Sequence, residues 1–154
     1  MPKVEASIEI DRPCAEVFAF VMTPANAARY DPAVLIYEPL DDQPLHLDSR
    51  VRIVARFVAG IPSTVISEVT EWQDSGATLR AVFATTTGPL RARGIHTFLT
   101  TPAGTLYTWA MEWDEASSPL GATLNLLMRR MWSGKLQPPL NNLKHLLESQ
   151  EHVR

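Results

Sequence analysis

The stretch Ser118–Ser149, SPLGATLNLLMRRMWSGKLQPPLNNLKHLLES, decides the fold. It is the one long helical pattern in the chain. Leu136, Leu140, Leu143 and Leu147 recur at helical spacing and make an apolar stripe. Leu124, Leu127, Met128 and Met131 make a similar stripe in the first half, and Leu120, Leu126 and Trp132 widen it. Pro138 and Pro139 each remove a backbone donor and crowd the preceding turn, at ~3 kcal/mol in a straight helix. Gly134, just upstream, tolerates distortion. The spacing therefore predicts a kink or break between Ser133 and Leu140, with helix on either side. A helical stretch this long, after a chain that otherwise reads as strand, must bury its stripe against a sheet.

Working outward, the hairpin immediately upstream says most about that sheet. Its arms are Arg91–Leu99 and Leu106–Trp113, joined near Thr101-Pro102-Ala103-Gly104. Tyr107, Trp109, Met111 and Trp113 share one face of the second arm. A four-residue loop places Phe98 opposite Tyr107, His96 opposite Trp109, Gly94 opposite Met111 and Ala92 opposite Trp113. An odd slip in register would turn every side chain to the other face. In this pairing small residues meet large ones, and Arg91 and Arg93 fall outside.

Further upstream the strands follow one another between turn signals. Val4, Ala6, Ile8 and Ile10 alternate with polar residues, a half-buried strand. Pro13 then suits the first turn of a helix through AEVFAFVM. Thr23 is placed to cap a short second helix with Pro24 at its first position, ending before Pro32. Val34–Glu38 is a strand. Val51, Ile53, Ala55 and Phe57 alternate with Arg50, Arg52, Val54 and Arg56. Ser63–Trp72 has an ambiguous inward face, which a β-bulge would resolve. Leu79, Ala81, Phe83 and Thr85 share a face, and TTTGP turns the chain before the last hairpin.

Composition narrows the function. At 154 residues the chain is long enough for one domain with a substantial core. A net charge of −3 gives no footprint for nucleic acid or an anionic membrane. The longest apolar run, Val17–Met22, is too short to span a bilayer, and the first ten residues alternate rather than forming a secretory core. A lone cysteine, Cys14, excludes an internal disulfide. The expectation is a cytoplasmic protein with no metal and no cofactor.

The order strand, two helices, about six antiparallel strands and long helix carries a specific resemblance. The stretches IDRPCAEVFAFVMTPANAARYDP (10–32), SEVTEW (67–72), HTFLTTPAGTLYTWAMEW (96–113) and LNNLKHLLES (140–149) resemble the START-like superfamily of Bet v 1-type folds, and within it the bacterial polyketide cyclase/dehydrase-like proteins. Two features depart from the family pattern: Tyr30, where many members carry Trp, and the Pro138-Pro139 pair inside the final helix. The resemblance implies an α+β helix-grip fold over residues 1–154: a seven-stranded antiparallel sheet curved around the C-terminal helix, with two short helices plugging one end. It also implies a pocket for a hydrophobic lipid-, polyketide- or aromatic-type molecule, and it covers both carriers and cyclase-, dehydratase- or isomerase-type enzymes.

The residues support a pocket in their own terms. Ala6, Ala55, Ala81, Ala92 and Gly94 are small side chains at inward positions, too small to fill a curved sheet to the usual ~0.75 density. The expected wall takes Tyr30, Ile53, Ala55 and Phe57 from the first half of the chain. Ala81, Phe83, Gly94, His96 and Phe98 come from the middle strands, Tyr107, Trp109 and Met111 from the last strand, and Leu124, Met128 and Met131 from the helix. His96 is the one histidine placed to face inward and, with Tyr107, is the candidate for proton transfer. The bland alternative for His96 is a ring satisfied by a neighbouring hydroxyl or water, and for Tyr107 an amphipathic core residue. Cys14 reads as a buried small hydrophobe, Arg129-Arg130 as a solvated helix face, and His46, His145 and His152 as scattered, without metal spacing.

Overall fold

A computed structural model describes residues 2–58, 60–87, 91–114 and 119–149; of residues 57, 58, 119, 120 and 124 it describes the backbone alone. Ser118, the Ala59 and Gly88-Pro89 turn positions and His152 lie outside the described residues, as do the side chains of Phe57, Leu120 and Leu124. Seven strands form one antiparallel sheet: β1 (Lys3–Ile10), β2 (Val34–Pro39), β3 (Arg50–Val58), β4 (Ile61–Gln73), β5 (Thr78–Thr85), β6 (Ala92–Thr101) and β7 (Gly104–Trp113). Their order is β1-β7-β6-β5-β4-β3-β2, so β2 to β7 run as a meander and β1 closes against the last strand.

The last hairpin has the register its alternation dictates. Phe98 pairs with Tyr107, His96 with Trp109, Gly94 with Met111 and Ala92 with Trp113. The turn is tighter than expected, with Thr101 already paired to Gly104. Gly104 has φ +132°, and a Cβ there would meet the Ile10 carbonyl at 2.3 Å, so glycine is required where β7 passes β1. The ambiguous strand β4 contains the bulge: Val69 pairs with Phe83, but Glu71 pairs with Val82 and Trp72 with Ala81. The extra residue, Thr70, brings Val69 and Trp72 onto one face although they stand an odd number of residues apart. Register shifts also fall at Val34/Ile36 and Arg56/Val58. All three lie in the β2–β4 half, where they bend the sheet.

Helix α1 (Cys14–Val21) buries Cys14, Val17, Phe18 and Val21 over one end of the concave face. Phe18 makes edge contacts with Trp72 (5.1 Å) and Phe98 (5.3 Å). The Cys14 thiol donates to the Phe98 carbonyl at 3.4 Å. A 3₁₀ turn (Pro24–Asn26) runs into α2 (Ala27–Tyr30). Pro24 takes the first-turn position, but Thr23 does not cap: its hydroxyl donates to the Ala19 carbonyl at 2.6 Å, closing α1 instead.

The C-terminal helical stretch is broken, as its sequence predicts, into α3 (Pro119–Trp132) and α4 (Gln137–Ser149). The reason differs from the expected one. Gly134 takes φ +73° and ends α3 in a left-handed turn. Pro138 and Pro139 sit in the first turn of α4, where their missing N–H groups have no helical partner to lose. The second stripe is buried as expected, with Leu136, just ahead of α4, and Leu140, Leu143 and Leu147 within it all at 1% exposure or less. The α3 stripe is narrower than expected: Met128 is buried and Met131 half-buried, whereas Leu126 and Leu127 are exposed at 53% and 57%.

Polar contacts fix α4 at its far end. Glu148 accepts from the Asp11 backbone N–H (2.9 Å) and from Lys144 (2.6 Å), and Lys144 also donates to the Glu9 carbonyl (2.7 Å). These donors, the Asp11 N–H first, hold the Glu148 carboxyl below its usual range. Asn142 reaches the Tyr30 carbonyl at 3.0 Å. The α3 segment is tied to the sheet through Trp113, whose indole donates to Asn125 at 2.6 Å while Arg129 lies over its ring at 6.0 Å. Among the described residues no helix is long and apolar enough to cross a membrane.

Candidate functional site

The concave face of β5, β6 and β7 carries a row of aromatic rings. Two-residue alternation sends Phe98, His96 and Gly94 of β6 to the same side as Tyr107, Trp109 and Met111 of β7. Phe98 and Tyr107 stack in parallel at 4.5 Å. His96 stacks on Tyr107 at 5.9 Å and on Trp109 at 5.7 Å, and Phe83 meets it edge-on at 5.6 Å. Phe83, Phe98 and Tyr107 are buried, Phe98 and Tyr107 almost completely.

His96 Nδ1 and the Tyr107 hydroxyl form a hydrogen bond of 2.6 Å. This is the neighbouring hydroxyl of the bland reading, and the two candidate proton-transfer residues are therefore one unit. His96 keeps some accessible surface, yet the rings around it exclude enough water that burial pushes its pKa down to about 3. The imidazole is neutral at physiological pH. No carboxylate hydrogen-bonds to it among the described residues. Burial raises the Tyr107 hydroxyl well above its ordinary value, with a further push from Tyr30, Tyr37 and Asp31. Burial also raises Tyr30 and Tyr37, and it raises Asp31 against the opposing Ala33 N–H. All three phenols stay protonated.

The other expected wall residues divide by burial. Ala55 and Ala81 are buried at 2% and 0%, as is Met128 at 5%. Tyr30, Ile53, Trp109, Met111 and Met131 are half-buried. The structure adds Tyr37, which faces inward from β2, pairs with Ile53 and meets Phe83 edge-on at 6.5 Å. Its strand, VLIYEP, is mostly apolar without strict alternation, so the sequence offers no face for it. Two shallow clefts open elsewhere, one of about 310 Å³ along Leu47, Thr70–Gln73 and Arg80, and one of about 300 Å³ along Ala84, Thr85, Arg91–Arg93 and Asp114. Neither is lined by His96 or Tyr107. Among the described residues no three His, Cys, Asp or Glu side chains group as metal ligands.

Two polar atoms on the aromatic face have no hydrogen-bond partner among the described residues. The Trp109 indole N–H is buried without an acceptor, and His96 Nε2 makes no hydrogen bond, its ring being held through Nδ1 alone. The Cβ position of Gly94 lies 3.7 Å from His96 Nε2, 3.8 Å from Trp109 Nε1 and 3.5 Å from the Met111 sulfur.

A curved seven-stranded antiparallel sheet, a C-terminal helical grip and two short helices after the first strand define the START-like, Bet v 1-type class. The family described as polyketide cyclase/dehydrase and lipid transport matches residues 1–148, and the chain belongs to it. Solved structures share the fold at low identity. TTHA0849 from Thermus thermophilus superposes with a TM-score of 0.77 at 22% identity, over 96% of this chain and 98% of its own. BexL, a di-domain ARO/CYC from the BE-7585A biosynthetic pathway, gives 0.71 at 21% over 98% of this chain; the chain spans 48% of BexL. Ara h 8.0201 gives 0.66 at 12%, over 96% of this chain and 98% of its own. No curated protein matches the chain.

Proposed function

We propose that the protein binds a hydrophobic small molecule, lipid-, polyketide- or aromatic-type, between the concave face of the sheet and the C-terminal helices. The observation that carries this reading is the state of the inward face. Ile53, Tyr37 and Trp109 pack against the core yet remain only half-buried, as do His96, Met111 and Met131. In a packed core such side chains would lose nearly all their accessible surface. Membership of a family described by both cyclisation and lipid transport agrees with it. Native mass spectrometry of freshly purified protein tests it: an adduct of a few hundred daltons that is lost on denaturation is expected. Protein that is empty and also takes up no apolar molecule on incubation would contradict it.

The hydrogen bond between His96 and Tyr107 favours a second reading on the same site. A neutral imidazole that polarises a ligand carbonyl can promote cyclisation, dehydration or isomerisation. Binding is common to both readings; the chemistry is what the second one adds.

A further inference from the structure

Proton accounting on the aromatic face leads beyond a merely apolar pocket. His96 is neutral, so it carries one N–H. The Tyr107 hydroxyl is buried, and Nδ1 of His96 is its one hydrogen-bond partner among the described residues. A buried hydroxyl proton without an acceptor is costly, so Tyr107 donates to Nδ1. The histidine proton then stands on Nε2, which becomes a donor. Beside it, the Trp109 indole can only donate, and it too lacks an acceptor. Both nitrogens stand beside Gly94, 3.7 and 3.8 Å from where a Cβ would be, and the missing side chain lets a ligand atom approach them over the Gly94 Cα. Buried donors are paired in nearly all native structures, and an unpaired one calls for an explanation. The Trp109 indole is such a donor, and His96 Nε2–H, on a ring that keeps some accessible surface, stands beside it over the same glycine.

We propose that His96 Nε2–H and Trp109 Nε1–H form a donor pair over Gly94 that receives the carbonyl oxygen of an otherwise apolar ligand, with Tyr107 as the positioning residue that sets the histidine tautomer. This rests on the pocket reading above and narrows its ligand class. Ketones, esters and thioesters fit; hydrocarbons leave both donors unpaired, and ammonium groups oppose them. The Met111 sulfur, 3.5 Å from the same point, belongs to a flexible side chain able to move aside.

The test compares 2-acetylnaphthalene with 2-ethylnaphthalene, similar in shape but differing in the carbonyl, by equilibrium dialysis. The wild-type protein is expected to prefer the ketone. Trp109→Phe is expected to cut ketone affinity roughly three- to tenfold while hydrocarbon affinity stays within about twofold. The infrared carbonyl stretch of the ketone bound to wild-type protein, expected below its frequency in hexane, decides the matter without any variant should Trp109→Phe fail to fold. A hexane-like stretch, or hydrocarbon binding with no ketone preference, overturns this inference and leaves the pocket standing. If neither naphthalene binds, the pocket reading fails and the inference falls with it.

Discussion

His96 shows how little a residue type says before its surroundings are known. In water an imidazole titrates near ~6.5; between Phe83, Tyr107 and Trp109 it is pushed down to about 3. Between those values the unfolded chain binds a proton that the folded protein refuses. Stability therefore rises with pH through this window, and is lost as pH falls below ~6.5. His96→Gln removes the titration. From pH 6.5 to 4.5 the wild type is expected to lose about 2 kcal/mol more stability than the variant, measured by urea unfolding. Superimposable pH profiles would show that the ring is solvated. If the protein proves catalytic, the same substitution is expected to lower turnover by ~10²-fold, and an unchanged rate would remove His96 from the chemistry.

Among the elements, the C-terminal helical stretch was legible in outline but not in cause. The break lies where Gly134, Pro138 and Pro139 place it, yet glycine makes the turn and the prolines open the next helix. That difference is measurable. Gly134→Ala puts a Cβ at φ +73° and is expected to cost about 1 kcal/mol. Pro138→Ala, in a first turn with no bond to lose, is expected to change stability by under ~0.5 kcal/mol. Thermal unfolding of both variants checks this, and the reverse order would return the break to the prolines. The strands divide in the same way. The β6–β7 register could be read because small and large residues alternate on one face of each arm. The inward face of β4 could not, because the Thr70 bulge switches it midway. Helical spacing groups Leu127 with Met128, but only the three-dimensional position of α3 shows Leu127 exposed and Met128 buried.

At the scale of the whole molecule, strand alternation and one long amphipathic stretch gave the order of elements and a helix packed on a sheet; the curved seven-stranded grip came from the family resemblance. The site was legible as a face, not as a mechanism. Gly94, His96, Trp109 and Met111 could be placed together from register alone. The hydrogen bond that fixes the His96 tautomer, the unpaired indole of Trp109 and the part played by Tyr37 depend on side-chain directions that no one-dimensional pattern carries. The central claim is that the space over Gly94 is a ligand cavity rather than packed core. A Cβ at Gly94 meets nothing closer than 3.5 Å, and its φ lies outside the range that disfavours side chains, so the backbone accepts substitution. The most direct measurement is Gly94→Leu, assayed on one preparation for thermal unfolding and for binding of an apolar fluorescent probe such as ANS. The expected result is a fold of unchanged stability, within ~0.5 kcal/mol, whose probe affinity falls at least tenfold. A stability loss of ~1–3 kcal/mol from overpacking, with probe binding unchanged, would contradict the account.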